Sequence, residues 1–312
     1  MMHPTRRTGL ALLAALAVSP ARAEVLRVTL ATATPGGGFP AFGDAFAASV
    51  HAVEPDVVIE TRPSGGSAEN LGLLSRGEVD LALVQGAYAY PALDRGDGLT
   101  VLAPMYATPG LFVLRADSPL RSVADLRGQP VALGTHNSGL TVMGRAVLAA
   151  AGLDPERDIR PILLDHAGDG PAMVLDGRVA ALWGGGIGWP GFVAVAKAPG
   201  GARFIGPSEE AMTKVVARDP ALRRLTVPAG SFLGQDSPVA TVGSWSFILA
   251  RPGFPPDAAY RIVGTLAKAN GEMRARHPQG GESDPRGLDG LVPPAALNEG
   301  TRRYLAEARA GR

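Results

Sequence analysis

The chain has 312 residues, of which 46% are hydrophobic and 19% are charged, and its formal net charge at pH 7 is +1. This is the composition of an ordinary globular protein, and the near-neutral charge excludes a protein that holds nucleic acid by general electrostatic attraction. Cysteine is absent, which excludes disulfides and cysteine-ligated zinc, so stability must come from a sizeable core.

The first 23 residues differ from the rest of the chain. Arg6 and Arg7 precede the apolar run Leu10–Val18, and Ala21-Arg22-Ala23 is an A-x-A cleavage site. This pattern is typical of a cleavable signal peptide, so we predict export to the periplasm with cleavage near Ala23. No cysteine follows that site, so a soluble protein without a lipid anchor is expected. The choice between Sec and twin-arginine export stays open.

The mature chain begins with two strands that each lead into a glycine-containing loop. Glu24–Ala33 predicts a strand ending at the loop Pro35–Gly38, and a helix follows over residues 39–53. Val57–Glu60 predicts a second strand, after which the loop Ser64–Ser67 opens a short helix. Leu81–Val84 then predicts a strand buried on both faces of a parallel sheet.

The next segment is predicted to be irregular before the alternation resumes. Tyr88–Gly98 is rich in Pro, Gly and Asp and predicts a loop, and Thr108-Pro109-Gly110 separates two short strands over 99–106 and 111–115. Further on, a strand over 131–134 leads into the loop Thr135–Gly139 and a helix over 140–151. A strand over 179–183 leads into the loop Gly184–Gly186.

The C-terminal third predicts a return to the first region. A strand is expected over 202–205, a helix over 209–219 and a loop over 228–239. Residues 240–250 predict a long strand, 257–276 an amphipathic helix, 278–290 a loose surface loop and 295–308 a final helix.

The alternation of strand, small-residue loop and helix occurs four times and predicts an α/β fold with largely parallel sheets. Two of the four loops belong to each half of the chain. If two lobes face each other, helix N-termini meet at a shared cleft, where N–H groups and hydroxyls can hold an anion without a salt bridge.

Motifs for catalysis are missing from the sequence. There is no G-x-S-x-G nucleophile elbow, no GK[ST] after the first glycine loop, no dinucleotide fingerprint at Gly184–Gly186 and no histidine pair with metal-ligand spacing. We therefore predict a binding protein rather than an enzyme, with no cofactor and no metal. An enzyme on the same scaffold would need a nucleophile or paired acids in the cleft.

Several segments resemble one family, in order along most of the mature chain. These are Pro35–Gly38, SGGSAEN at 64–70, GEVDLALVQ at 77–85, ADLRGQPVALG at 124–134, NSGL at 137–140, DGRVAALWGGG at 176–186 and VPAGSFLGQDSPVATVG at 227–243. They are similar to the TAXI-family solute-binding proteins of TRAP transporters. The resemblance implies a two-lobed type II periplasmic binding protein fold, α/β in class, with a ligand cleft between the lobes.

The resemblance also implies a function and a partner. A monomer would capture a small carboxylate such as glutamate or 2-oxoglutarate and deliver it to an ion-gradient-driven TRAP permease in the membrane. Phe39 and Leu140 stand where the family often has more polar side chains, which favours a less polar or aromatic acid. The alternative is a ligand-binding sensory protein that signals to a membrane receptor. A neighbouring gene for a permease would favour transport, and one for a sensor kinase would favour sensing.

The lobes and the ligand-binding residues follow from the same resemblance. Lobe I is predicted to comprise residues 24–117 and 241–312, and lobe II residues 118–240. His136 is expected to pair with a ligand anion when protonated. The predicted binding residues are Gly37, Gly38, Phe39, Ser64, Gly65, Gly66, Ser67, Asn70, Gln85, His136, Asn137, Ser138, Gly139, Leu140, Trp183, Gly184 and Gly185.

Overall fold

The computed structural model describes residues 25–311, so the predicted signal peptide lies outside the described residues. The strands are β1 (Leu26–Ala31), β2 (Val57–Arg62), β3 (Leu81–Gln85), β4 (Thr100–Arg115), β5 (Pro130–Thr135), β6 (Arg160–Leu164), β7 (Ala181–Gly185), β8 (Ala202–Ile205), β9 (Arg223–Val227) and β10 (Val239–Ala250). The helices are α1 (Gly38–Val53), α2 (Ser67–Ser75), α3 (Gly86–Asp94), α4 (Gly139–Ala150), α5 (Gly170–Leu175), α6 (Pro190–Lys197), α7 (Glu209–Arg218), α8 (Pro256–Lys268), α9 (Asn270–Arg276) and α10 (Glu299–Ala310).

The strands form two lobes that share β4 and β10. In lobe I, β2, β1 and β3 are parallel, and β10 joins β3 in the antiparallel sense. In lobe II, β7, β5 and β6 are parallel, and β7 and β8 pair with β4 in the antiparallel sense. The predicted two-lobed α/β fold is confirmed.

The connection between the lobes is a pair of long antiparallel strands. β4 pairs with β10 from Thr100 to Pro109 and with β7 from Gly110 onward. Where the strand changes partner, the Thr108 and Ser246 hydroxyls are hydrogen-bonded to each other at 3.1 Å. The prediction of two strands separated at Thr108-Pro109-Gly110 is wrong, because this segment continues the strand from one lobe into the other.

Each lobe has apolar clusters on both faces of its sheet. β3 is buried along its whole length, as expected for a central strand covered on both sides. In lobe I, Phe42 and Phe46 of α1 pack on one face, and Leu74 of α2 lies in the cluster that contains Phe247. In lobe II, Trp183 belongs to the cluster that also contains Phe112 and Met143 of α4.

Residues 277–283, which we call the hinge segment, pack against β4 where it leaves lobe I. The side-chain amide of Gln279 donates to Ala107 O (2.8 Å) and to Glu282 Oε1 (2.9 Å), and Gln279 Oε1 accepts from Ile187 N of lobe II (2.7 Å). Ala107 N donates to Glu282 Oε2 (2.7 Å). Burial raises the pKa of Glu282. The prediction of a loose surface loop over 278–290 is therefore wrong.

Two further local predictions are wrong. Residues 86–94 form α3 rather than a loop, with Gln85 Oε1 accepting from Ala87 N (2.7 Å) to cap the helix start. The amphipathic helix predicted over 257–276 is two helices, α8 and α9, which meet at Ala269.

Candidate functional site

A pocket of about 70 Å³ lies between the two lobes, at the carboxyl ends of β1, β3, β5 and β7. This is the position at which α/β proteins commonly bind ligands. The lining residues are Ala33, Thr34, Gly37, Gly38, Phe39, Gly66, Ser67, Gln85, Tyr106, Thr108, Gly134, Thr135, Ser138, Leu140, Ala167, Trp183, Gly184, Gly185 and Trp189.

The loop before α1 brings main chain close to two aromatic rings. A Cβ on Gly38 would lie 3.1 Å from Tyr106 Oη and 3.2 Å from Trp189 Cδ1, so only glycine fits here without displacement. The helix start at Gly37 has no side-chain cap. The N–H groups of Gly38 and Phe39 are in the first turn, where no carbonyl of the helix can accept from them.

The loop before α2 is fixed from behind by a buried asparagine. Asn70 Nδ2 donates to Thr32 O (2.8 Å) and Leu83 O (2.7 Å), and Asn70 Oδ1 accepts from Ser64 Oγ (2.7 Å). Asn70 is 0% exposed and is not among the lining residues. Its side chain therefore positions the loop, whereas Gly66 and Ser67 reach the pocket.

Gln85 ends β3 at the pocket and is 2% exposed. Its Oε1 is occupied by Ala87 N, but its Nε2 has no hydrogen-bond partner among the described residues. A buried donor without an acceptor is costly. An acceptor in the pocket would remove that cost.

The opposing loop of lobe II contributes Ser138 and Leu140. The Ser138 side chain accepts from Leu140 N (3.2 Å) and caps α4. His136 is exposed and lies outside the lining, as does Asn137.

Two tryptophans close the lobe II side. Trp183 is 1% exposed, and its Nε1 donates to Leu140 O at 2.7 Å. Trp189 covers Gly184 so closely that a Cβ there would lie 2.3 Å from the indole ring. The glycines of β7 therefore make room for a flat aromatic wall.

The lobes touch each other directly at two places beside the pocket. Ala68 N of α2 donates to Asn137 O (3.1 Å), and Gly168 N donates to Pro35 O (3.2 Å). Gly36, with φ +78°, approaches Gly168 so closely that a Cβ on it would lie 2.4 Å from Gly168 Cα. The structure is therefore a closed arrangement in which both lobes contribute to one pocket.

The pocket wall is electrically neutral. Within residues 25–311, none of those that line the pocket is Asp, Glu, Lys, Arg or His. Behind Tyr106 lies His277, with ring centroids 5.3 Å apart. Burial raises the pKa of the Tyr106 hydroxyl and lowers the pKa of His277, so both are neutral at pH 7. Among residues 25–311, no cluster of three or more His, Asp or Glu is placed to hold a metal ion.

Most of the sequence-predicted residues meet at this pocket. Those in its lining are Gly37, Gly38, Phe39, Gly66, Ser67, Gln85, Ser138, Leu140, Trp183, Gly184 and Gly185, whereas Ser64, Gly65, Asn70, His136, Asn137 and Gly139 lie beside or behind it. Lining residues that the predicted set does not contain are Ala33, Thr34, Tyr106, Thr108, Gly134, Thr135, Ala167 and Trp189. Thr135 begins the predicted loop Thr135–Gly139, Thr34 directly precedes the predicted loop Pro35–Gly38, and Trp189 follows the predicted loop Gly184–Gly186. Tyr106 and Thr108 carry no local signal, since their place depends on where β4 crosses between the lobes.

The comparisons with known proteins agree with this architecture. The model of the family described as NMT1-like matches residues 30–308. The alkanesulfonate-binding protein SsuA from Xanthomonas axonopodis pv. citri, solved with MOPS, superposes with a TM-score of 0.52 at 21% identity, covering 91% of this chain and 85% of that one. The periplasmic aliphatic sulphonate binding protein SsuA from Escherichia coli has a TM-score of 0.50 at 21% identity, covering 93% and 84%. The substrate binding protein of an amino acid ABC transporter has a TM-score of 0.50 at 12% identity, covering 80% and 96%.

At 12–21% identity, these likenesses show a shared fold. Within the described residues, no helix is both long enough and apolar enough to span a membrane.

Proposed function

This chain belongs to the NMT1-like family, and from that premise we propose that it is a periplasmic solute receptor that captures a small organic anion by lobe closure. The observation that carries the proposal is the pocket whose walls come from both lobes. Contacts made by one ligand to both lobes exist only when the lobes are closed, so binding favours closure.

The pocket chemistry supports an anion. The starts of α1 and α2 present main-chain N–H groups, the positive ends of the helix dipoles favour negative charge, and Gln85 Nε2 offers a further donor. Two of the similar structures are binding proteins for organic sulfonates. We propose a carboxylate as the ligand, either polar, as glutamate or 2-oxoglutarate are, or less polar and aromatic.

The receiving partner is proposed to be a TRAP permease, as the TAXI-like motifs imply. We also propose that residues 1–23 are removed on export to the periplasm. The lobe limits at 117/118 and 240/241 stay predictions. β4 ends at Arg115, just before the first limit, and β10 runs from Val239 to Ala250 across the second.

A thermal-shift screen of the purified protein tests the receptor function. The protein is first unfolded in guanidinium chloride, washed and refolded, so that any captured compound is removed. A ligand that binds only the folded state raises the melting temperature in proportion to the logarithm of its concentration. A well-folded protein that responds to no organic anion in a broad library would contradict the proposal.

A further inference from the structure

The neutral wall of the pocket restricts the charge that a ligand can carry. A charged group taken from water into a closed site needs a partner of opposite charge or a full set of hydrogen bonds. The pocket supplies no side-chain charge of either sign. Every charged group on a ligand must therefore be satisfied by hydrogen bonds alone.

The pocket offers several hydrogen-bond donors whose acceptors are not supplied by their own helices. Gly38, Phe39 and Ser67 present N–H groups in the first turns of α1 and α2. The Gln85 side chain is only 2% exposed, and its Nε2 finds no acceptor in the part of the chain that the structure describes. These donors come from main chain and from one amide, and together they suit one oxyanion.

Three acceptors in the pocket lining each already receive a hydrogen bond. Leu140 O accepts from Trp183 Nε1 (2.7 Å), and Thr135 O accepts from Thr141 Oγ1 (2.7 Å). Thr34 Oγ1 accepts from Ala167 N (3.2 Å). An ammonium group, which brings three donors and no acceptor, would find few partners here.

The rest of the wall is apolar or aromatic. Phe39, Leu140, Trp183 and Trp189 face the remaining space. A second carboxylate placed against these side chains would lose its hydration with no cation nearby. The wall suits an uncharged chain or ring instead.

We infer that the pocket selects a small organic acid with one carboxylate and an uncharged remainder, and that it discriminates against amino acids and dicarboxylates. This inference rests on the proposed receptor function and narrows its ligand. Gln85 is assigned as a residue that determines specificity, because its Nε2 donates to the carboxylate.

A panel of matched compounds tests the inference by isothermal titration calorimetry on the refolded protein. Pentanoate, norvaline and glutarate share a five-carbon chain but carry a single anion, a zwitterion and two anions. Benzoate and terephthalate form an aromatic pair, and pentanamide removes the charge. We expect a monocarboxylate to bind at least 10-fold more tightly than its zwitterionic, dianionic and neutral counterparts.

The outcomes separate the inference from the function on which it rests. If norvaline, glutarate or glutamate binds as tightly as the monocarboxylates, or if pentanamide equals pentanoate, the inference is overturned while the receptor function stands. If no compound of the panel or of a broad anion library binds, the receptor function fails and the inference fails with it.

The variant Gln85→Glu tests the role of the amide. It keeps an oxygen for Ala87 N but replaces the Nε2 donor with a negatively charged oxygen, so monocarboxylate affinity should fall at least 10-fold. Gln129→Glu, the same change at a half-buried site at the other end of β5, is the matched control and should bind normally. Unchanged affinity in a folded Gln85→Glu protein would overturn the assignment of Gln85. If that variant does not fold, the compound panel still decides the charge preference.

Discussion

The hinge segment gives a quantitative prediction for Gln279→Ala. Gln279 is 4% exposed and joins the hinge segment, β4 and lobe II through bonds to Ala107 O, Glu282 Oε1 and Ile187 N. Removing its amide deletes two bonds between neutral groups, at about 1 kcal/mol each, and one to a carboxylate, at about 1.5–3 kcal/mol. Because Glu282 is partly exposed and water can replace one bond, we expect the free energy of unfolding to fall by about 3 kcal/mol.

The assay is urea denaturation followed by far-ultraviolet circular dichroism and by tryptophan fluorescence. Both signals are needed because a weakened hinge can let the lobes unfold separately, which non-coincident curves would reveal. Gln129→Ala, half-buried at the start of β5, is the control and should change stability by less than about 0.5 kcal/mol. A loss below about 1 kcal/mol for Gln279→Ala would show that these contacts do not hold the segment in place.

Three other substitutions test the closed arrangement, the loop support and the buried acid. Gly36→Ala puts a Cβ 2.4 Å from Gly168 Cα and should weaken ligand binding at least 10-fold in calorimetry. The control Gly77→Ala, at φ +69° with open space around it, should bind the ligand normally. Equal affinities of the two variants would refute the contact between the lobes. Asn70→Ala removes three hydrogen bonds, two of them fully buried, and should lower the free energy of unfolding measured in urea by about 3 kcal/mol. A change under about 1 kcal/mol would argue that Asn70 does not support the loop. Burial raises the pKa of Glu282 above 4.5, so the contribution of this carboxyl to stability is present at low pH and is lost as pH rises through the folded pKa. Wild-type protein should therefore lose stability relative to Glu282→Gln as pH rises from about 4.5, and a constant or opposite difference would contradict this assignment.

The sequence predicted the features that depend on local pattern. β3 is a run of apolar residues buried along its whole length. The loops at Pro35–Gly38 and Ser64–Ser67 follow β1 and β2, which are adjacent and parallel, as the βα alternation requires. The convergence of these loops with Ser138 follows from the same rule. To predict that convergence, only one further assumption was needed, namely that the two lobes face each other.

The errors arise where distant contacts override local propensity. Pro109 and Gly110 normally interrupt a strand, but here β10 pairs up to Pro109 and β7 takes over at Gly110, so both positions are paired. β9 was not predicted, because most of its residues are exposed and give no apolar pattern. The strand is held in place by its pairing with β10. The glycines near residue 280 suggested mobility, yet Gly280 packs against the backbone of Met273 and is buried.

The glycine lining of the pocket restricts how its selectivity can evolve. A mutation cannot delete a main-chain N–H except by introducing proline, so the donors at the helix starts persist through most substitutions. A mutation can add a side chain, and at Gly38, Gly184 or Gly185 the first added carbon meets Tyr106, Trp189 or Leu140. Substitutions at these positions can therefore only reduce the size of the ligands that fit the pocket. Related proteins that bind larger ligands must instead carry smaller residues in place of the bulky ones. We expect those substitutions at the positions of Phe39 and Leu140.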